Sequence, residues 1–109
     1  MRTYVMAFLR AGPNGDTTRV REVQRAHLDN IRRMAEEGTL LVAGPFLDDG
    51  PIRGIYIFDV ATLEEARVLT ETDPAIQAGR LEMELHTWYG PAALRGLDEI
   101  HERITRTAP

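Results

Sequence analysis

The sequence predicts an α+β domain of the ferredoxin-like class, β-α-β-β-α-β with an antiparallel four-stranded sheet, followed by a C-terminal helix. Three observations carry that expectation. The stretch Gln24–Phe46, QRAHLDNIRRMAEEGTLLVAGPF, reads as an amphipathic helix, a glycine stop, a short apolar strand and a Gly-Pro corner. A second unit, GIYIFDVATLEEARVL, repeats the succession of apolar strand and helix, and a further strand follows each helix. Strands one, two and three are apolar on both sides, so the sheet face without helices must also be covered.

Taken in order, Thr3 to Leu9 is short and rich in β-forming residues, which predicts strand one. Arg10 to Asp16, RAGPNGD, is turn chemistry, and Asp16, Thr17 or Thr18 is the expected cap of helix one. That helix runs to about Glu37, with Gly38 as the residue beyond its end. At about 100° per residue, Val20, Val23, Ile31, Met34 and Ala35 share one face, Leu28 lies at its margin and His27 falls near its middle. Thr39 to Ala43 is strand two, bent by Gly44-Pro45, and Gly54 to Val60 is strand three. Thr62-Leu63-Glu64-Glu65 has the form of a capping box and opens helix two. Asp73-Pro74 ends that helix, because the residue before proline is pushed out of the α region, and Asp73 can cap a short turn stopped by Gly79. Leu81 to Tyr89 is strand four, with Leu81, Met83, Leu85 and Tyr89 alternating with Glu82, Glu84, His86 and Trp88, a pattern that suits a sheet edge. A last helix is expected over Ala92 to Thr105, weakened at Gly96.

At 109 residues, with 43% hydrophobic and 28% charged residues, the chain fits one domain, residues 1–109. A net charge of −4 argues against nucleic acid or an anionic membrane as a partner. No run approaches the roughly 18 apolar residues of a membrane span, and the N-terminus has no signal-peptide form, so the expected compartment is the cytoplasm. The chain has no cysteine and no serine, which excludes disulfides, thiolate metal sites and serine or cysteine nucleophiles. His27, His86 and His101 have no metal-ligand spacing, so no metal is expected.

Three places could carry chemistry. His27 is the one titratable group on the apolar stripe of helix one, and an imidazole there can act as a base near neutral pH. The plainer alternative is a core histidine satisfied by a backbone carbonyl. Asp73 is either only a helix cap or the carboxylate that orients a histidine. At Gly44-Pro45-Phe46 the glycine either lets the backbone approach a ligand closely or merely ends a strand.

The ordered segments AHLDNIRRMAEEGTLLVAGPF, GIYIFDVATLEEARVL and TDPAIQAG resemble the YCII-related family. The pattern is a histidine in helix one, a GxLxxAGPF-like strand, an EEA helix and a DP-x-x-x-AG segment, over Thr3 to Tyr89; the helix from Ala92 onward departs from the compact family form. The resemblance implies a ferredoxin-like fold that pairs sheet to sheet as a dimeric α/β barrel, and a His–Asp pair proposed as an active site, which maps onto His27 and Asp73. Some relatives are linked to breakdown of aromatic compounds, including dehydrochlorination. The expected function is therefore a small-molecule lyase or isomerase without a cofactor. His27 would move a proton, Asp73 would orient it, and Met34, Gly44, Pro45 and Phe46 would meet the substrate. A non-catalytic ligand-binding module and a structural dimerisation domain are the alternatives. A homodimer through the open sheet face is expected, and the Arg10–Asp16 loop is expected to border the pocket mouth.

Overall fold

Strand β1 (Arg2–Ala11) is the spine of the sheet, pairing antiparallel with β3 (Ile52–Phe58) on one side and β4 (Leu81–Gly90) on the other. Strand β2 (Leu40–Pro45) joins the free side of β3, giving the order β2-β3-β1-β4. Helices α1 (Val20–Glu36) and α2 (Leu63–Thr70) follow β1 and β3, so the chain has the ferredoxin-like arrangement. A short helix α3 (Pro74–Gln77) leads into β4. After β4 come a 3-10 turn (Ala92–Gly96) and helix α4 (Leu97–Thr107). The structure, a computed structural model, describes residues 1–15 and 18–107, with side chains through residue 105.

The core lies between one sheet face and the helices. Val5, Ala7 and Leu9 of β1 and Tyr56 and Phe58 of β3 pack with Met34 of α1 and Ala66 of α2. Burying side chains of this size contributes about 1.5–3 kcal/mol each. The opposite face carries Tyr4, Leu41 and Ile57, all buried, with Met6, Val42 and Trp88 half-buried beside them. Leu94 of the 3-10 turn packs onto that second cluster. The Tyr4 hydroxyl donates to the Pro91 carbonyl, and Arg95 Nε lies 3.1 Å from an Asp59 oxygen, so the C-terminal segment is pinned across the strand ends.

Local signals work largely as expected. Gly38 takes a φ of 79°, and the Thr39 and Gly38 amides donate to the Met34 and Ala35 carbonyls, which closes α1 with a Schellman turn. Thr62 accepts from the Glu65 amide and caps α2.

Several details differ. Asp16 and Thr17 lie outside the described residues, and α1 begins at Val20 after Arg19, whose φ of 58° is unusual for a side-chain-bearing residue and which makes no capping bond. Gly44 and Pro45 continue β2 rather than bending it. An edge strand tolerates a proline because its outward amide has no ladder partner to lose. Strand β3 starts two residues earlier than expected and ends at Phe58, since it follows the long β1 as far as the Arg10–Ile52 pair. On β4, Tyr89 is 63% exposed while Trp88 packs against Tyr4, the reverse of the expected alternation at that end. Gly96 divides the last helical segment into a 3-10 turn and α4. The 10–15 stretch is tied to the chain before β4, the Gly12 and Asn14 amides donating to the Arg80 and Gly79 carbonyls, and its neighbours Leu9 and Leu81 line a cavity together with His27.

Candidate active site

His27 sits in the middle of α1, one turn from Asn30 and two from Met34 on the buried stripe. Its Nδ1 lies 2.7 Å from Asp73 Oδ2 and 2.9 Å from Oδ1. Asp73 arrives there because Pro74 forces it out of the helix: its φ of −79° and ψ of 120° break the chain between α2 and α3. The same carboxylate caps α3, accepting from the Ala75 amide at 2.9 Å. Asp73 is fully buried and His27 is 8% exposed, so the two polar groups satisfy each other inside the core.

The partners set the tautomer. A carboxylate only accepts, so neutral His27 carries its proton on Nδ1 and leaves Nε2 as an acceptor. Nε2 faces the hydroxyl of Tyr56 at 3.5 Å, with the two rings near parallel. Burial, reinforced by the negative charge of Asp73, holds the Tyr56 phenol well above the ordinary phenol range. Tyr56 therefore stays a neutral hydrogen-bond donor wherever His27 is active as a base. Arg33 braces the site from outside, donating from Nη2 to Asn30 Oδ1 and Thr72 Oγ1 and so tying α1 to the residue before Asp73.

His27 and Tyr56 both line a cavity of about 360 Å³, within the usual range of small-molecule sites. Gln24, Leu28 and Ile31 of α1 form one wall, and Ala43, Gly44 and Pro45 of β2 form the other. Gly54 lies on its floor. A Cβ there would stand 2.6 Å from the Gly44 carbonyl oxygen, so glycine is what allows β2 to sit close at this wall. Arg53 also lines the cavity, and its guanidinium has no partner among the described residues.

Of the residues singled out in the sequence, His27 and Asp73 come together, and Gly44 and Pro45 reach the cavity. Met34 does not: two turns along from His27, it is wholly buried in the core. Phe46 lies past the end of β2, 45% exposed and outside the cavity lining. Sequence reasoning missed Tyr56 as a site residue. The signal was there: alternation put Tyr56 with Phe58 on one face of its strand, and a hydroxyl on a buried face needs a partner. Among the described residues, no group of three or more His, Cys, Asp or Glu could hold a metal ion, and no helix is long and apolar enough to cross a membrane.

Comparison with known proteins agrees with this architecture. The family described as the YCII-related domain matches residues 3–88. The uncharacterized protein YjpA of Bacillus subtilis (strain 168) is 28% identical over 88 residues, covering 81% of this chain and 95% of YjpA. Among solved structures, the 5-chloro-2-hydroxyhydroquinone dehydrochlorinase TftG from Burkholderia phenoliruptrix AC1100, in complex with 2,5-dihydroxybenzoquinone, superposes with a TM-score of 0.61. The match covers 83% of this chain and 96% of TftG at 18% identity, a likeness of fold.

Proposed function

This chain belongs to the YCII-related domain family, and from that premise we propose that it is a small-molecule enzyme of the lyase or isomerase type, with His27 as the proton-moving group. The observation that carries the reading is the buried Asp73–His27 contact at 2.7 Å in a histidine that also lines a cavity. A substrate with a C–H bond acidified by a neighbouring carbonyl, the keto form of a hydroxylated ring included, gives that proton to Nε2. The imidazolium is held by Asp73 through Nδ1–H, and Tyr56 donates to the oxygen on which negative charge grows. The electron pair then either expels a leaving group, which is elimination, or accepts the proton back at another carbon, which is isomerisation. TftG, a dehydrochlorinase of the same fold, was solved with a flat dihydroxylated ring, and rings of that kind are the first substrates to test here.

The proposed assembly is a homodimer through the outward sheet face, where Met6, Phe8, Val42 and Ile55 stay half-buried and apolar in the single chain. Such an interface is expected to bury roughly 1,200–2,000 Å² in total. Sedimentation at micromolar concentration reads this directly: a dimer is expected, and a monomer contradicts it.

The enzyme reading is tested by incubating the protein with halogenated and hydroxylated aromatic rings and with small β-substituted acids, following product by NMR. Turnover with a histidine-like limb in its pH profile is expected. His27→Ala abolishes it and Asp73→Asn weakens it, since general acid–base groups contribute about 10²–10⁴-fold. Binding without turnover across the panel leaves a ligand-binding module instead.

A further inference from the structure

Beside the His27 cavity lies a second one of about 440 Å³, between α4 and the β2 edge. The two share Ile31 and Ala43 as wall residues. On α1 the lining residues follow each other at helical spacing: His27, Ile31, Ala35. They span about 12 Å at 1.5 Å per residue. On β2 the matching rail runs from Pro45 and Gly44 beside His27 to Val42 and Leu41 under α4. The two cavities are thus successive parts of one groove between α1 and the β2 edge, and α4 roofs the part away from His27.

The roof is largely aliphatic and loosely seated, with Asp98 and His101 as its two polar lining residues. Leu97, Ile100 and Ile104 of α4 line the second cavity, yet Ile100 remains 45% and Ile104 63% exposed. A helix whose apolar stripe lies over a cavity in this way leaves room for apolar atoms between itself and the sheet edge. The match to the YCII-related domain ends at residue 88, so the roof is an addition to the part of the chain the family pattern describes. At the other end of the groove, Arg53 lines the His27 cavity with a guanidinium that has no partner among the described residues.

We infer that the groove under α4 is a subsite for the apolar portion of the ligand whose polar end lies at His27, and that the ligand class is a small organic anion bearing an alkyl or ring substituent. This rests on the His27 cavity being the substrate site. Anionic head and apolar tail follow from the two ends of the groove: Arg53 at one, and at the other a lining from α1, β2 and α4 in which aliphatic side chains outnumber Asp98 and His101.

The test uses the intact protein and a series of straight-chain carboxylates from butanoate to decanoate, with dissociation constants from titration calorimetry. In the wild type, affinity is expected to rise about threefold to fourfold per added methylene. Ala35→Leu, which fills the α1 side of the second cavity away from His27, and Ile100→Asn, which makes the roof polar on a half-exposed residue, should each flatten that dependence. Butanoate binding should stay within about twofold of wild type, which also shows that the variants are folded. A wild-type series with no chain-length dependence overturns the inference, and so does a slope that survives in both variants. A flat series together with loss of the dimer in Ile100→Asn assigns the stripe to contact between two copies instead. Because binding is read without turnover, failure of the enzyme reading is distinguishable: a steep series that persists in His27→Ala, with no turnover anywhere in the substrate panel, leaves the subsite standing and removes the chemistry.

Discussion

Nδ1 of His27 lies 2.7 Å from one carboxylate oxygen of Asp73 and 2.9 Å from the other, although 46 positions separate the two residues. One carboxylate thereby does two jobs, because Asp73 Oδ1 also accepts from the Ala75 amide at 2.9 Å. The start of α3 and the orientation of the imidazole are held by the same group. Whatever moves Asp73 moves His27's partner.

Asp73→Ala and Asp73→Asn separate these jobs. Alanine loses the cap, worth about 1 kcal/mol, and leaves the buried Nδ1–H without an acceptor, a further 1–3 kcal/mol or so. Asparagine with its oxygen at the Oδ1 position keeps the cap and the 2.9 Å contact to Nδ1, and loses the charge and the shorter Oδ2 contact, about 1 kcal/mol. Urea unfolding is expected to rank wild type above Asp73→Asn above Asp73→Ala. Equal losses would mean that the cap and the histidine contact are not both made by this side chain.

Tyr56 makes a pH prediction. Burial first, and the charge of Asp73 second, raise its phenol pKa above the ordinary value near 10. The folded chain therefore keeps a proton that the unfolded chain releases above about pH 10. Stability is full below that pH and falls as pH rises through it, by up to about 1.4 kcal/mol per pH unit for one group. Tyr56→Phe removes this contribution. Denaturation midpoints from pH 8 to 11 should fall less steeply in the variant than in wild type, and parallel curves would contradict the burial of a neutral phenol beside Asp73.

Two glycines on the adjacent strands β2 and β3 should respond differently to alanine. A Cβ on Gly54 would lie 2.6 Å from the Gly44 carbonyl oxygen and 3.1 Å from Pro45 Cα, so Gly54→Ala forces β2 away from β3 at a cost of about 1–3 kcal/mol. A Cβ on Gly44 meets nothing within 4 Å, so Gly44→Ala is expected to leave stability unchanged within about 0.5 kcal/mol. Thermal unfolding of both variants decides it, and the opposite ranking would place β2 elsewhere.

Much of this architecture is legible in the chain because it follows from local rules. The stripe that puts His27 inward, the glycine that ends α1, the Thr62 cap and the Asp73-Pro74 break each depend on a few neighbouring residues, and the structure has all four. The rest depends on partners that local pattern does not name. Asn30 is buried although polar, because Arg33 supplies a donor to its oxygen. Met34 belongs to the same stripe as His27 but lies two turns along, where the stripe meets core instead of cavity. Tyr56 joins the site only because antiparallel pairing with β1 turns it toward α1. The seat of α4 was the least legible, since an amphipathic helix can lie on any apolar surface, and only the structure places it along the β2 edge.

The proposed role of His27 is to take a carbon-bound proton on Nε2. The direct measurement is hydrogen exchange in D₂O: NMR follows loss of the C–H signal from the panel of hydroxylated rings and small acids, with wild type and folded His27→Ala compared side by side. The account predicts washout of at least one compound by wild type and a fall of about 10²-fold or more in His27→Ala, the usual contribution of a positioned base. Washout that persists in His27→Ala, or none with any compound, would contradict it.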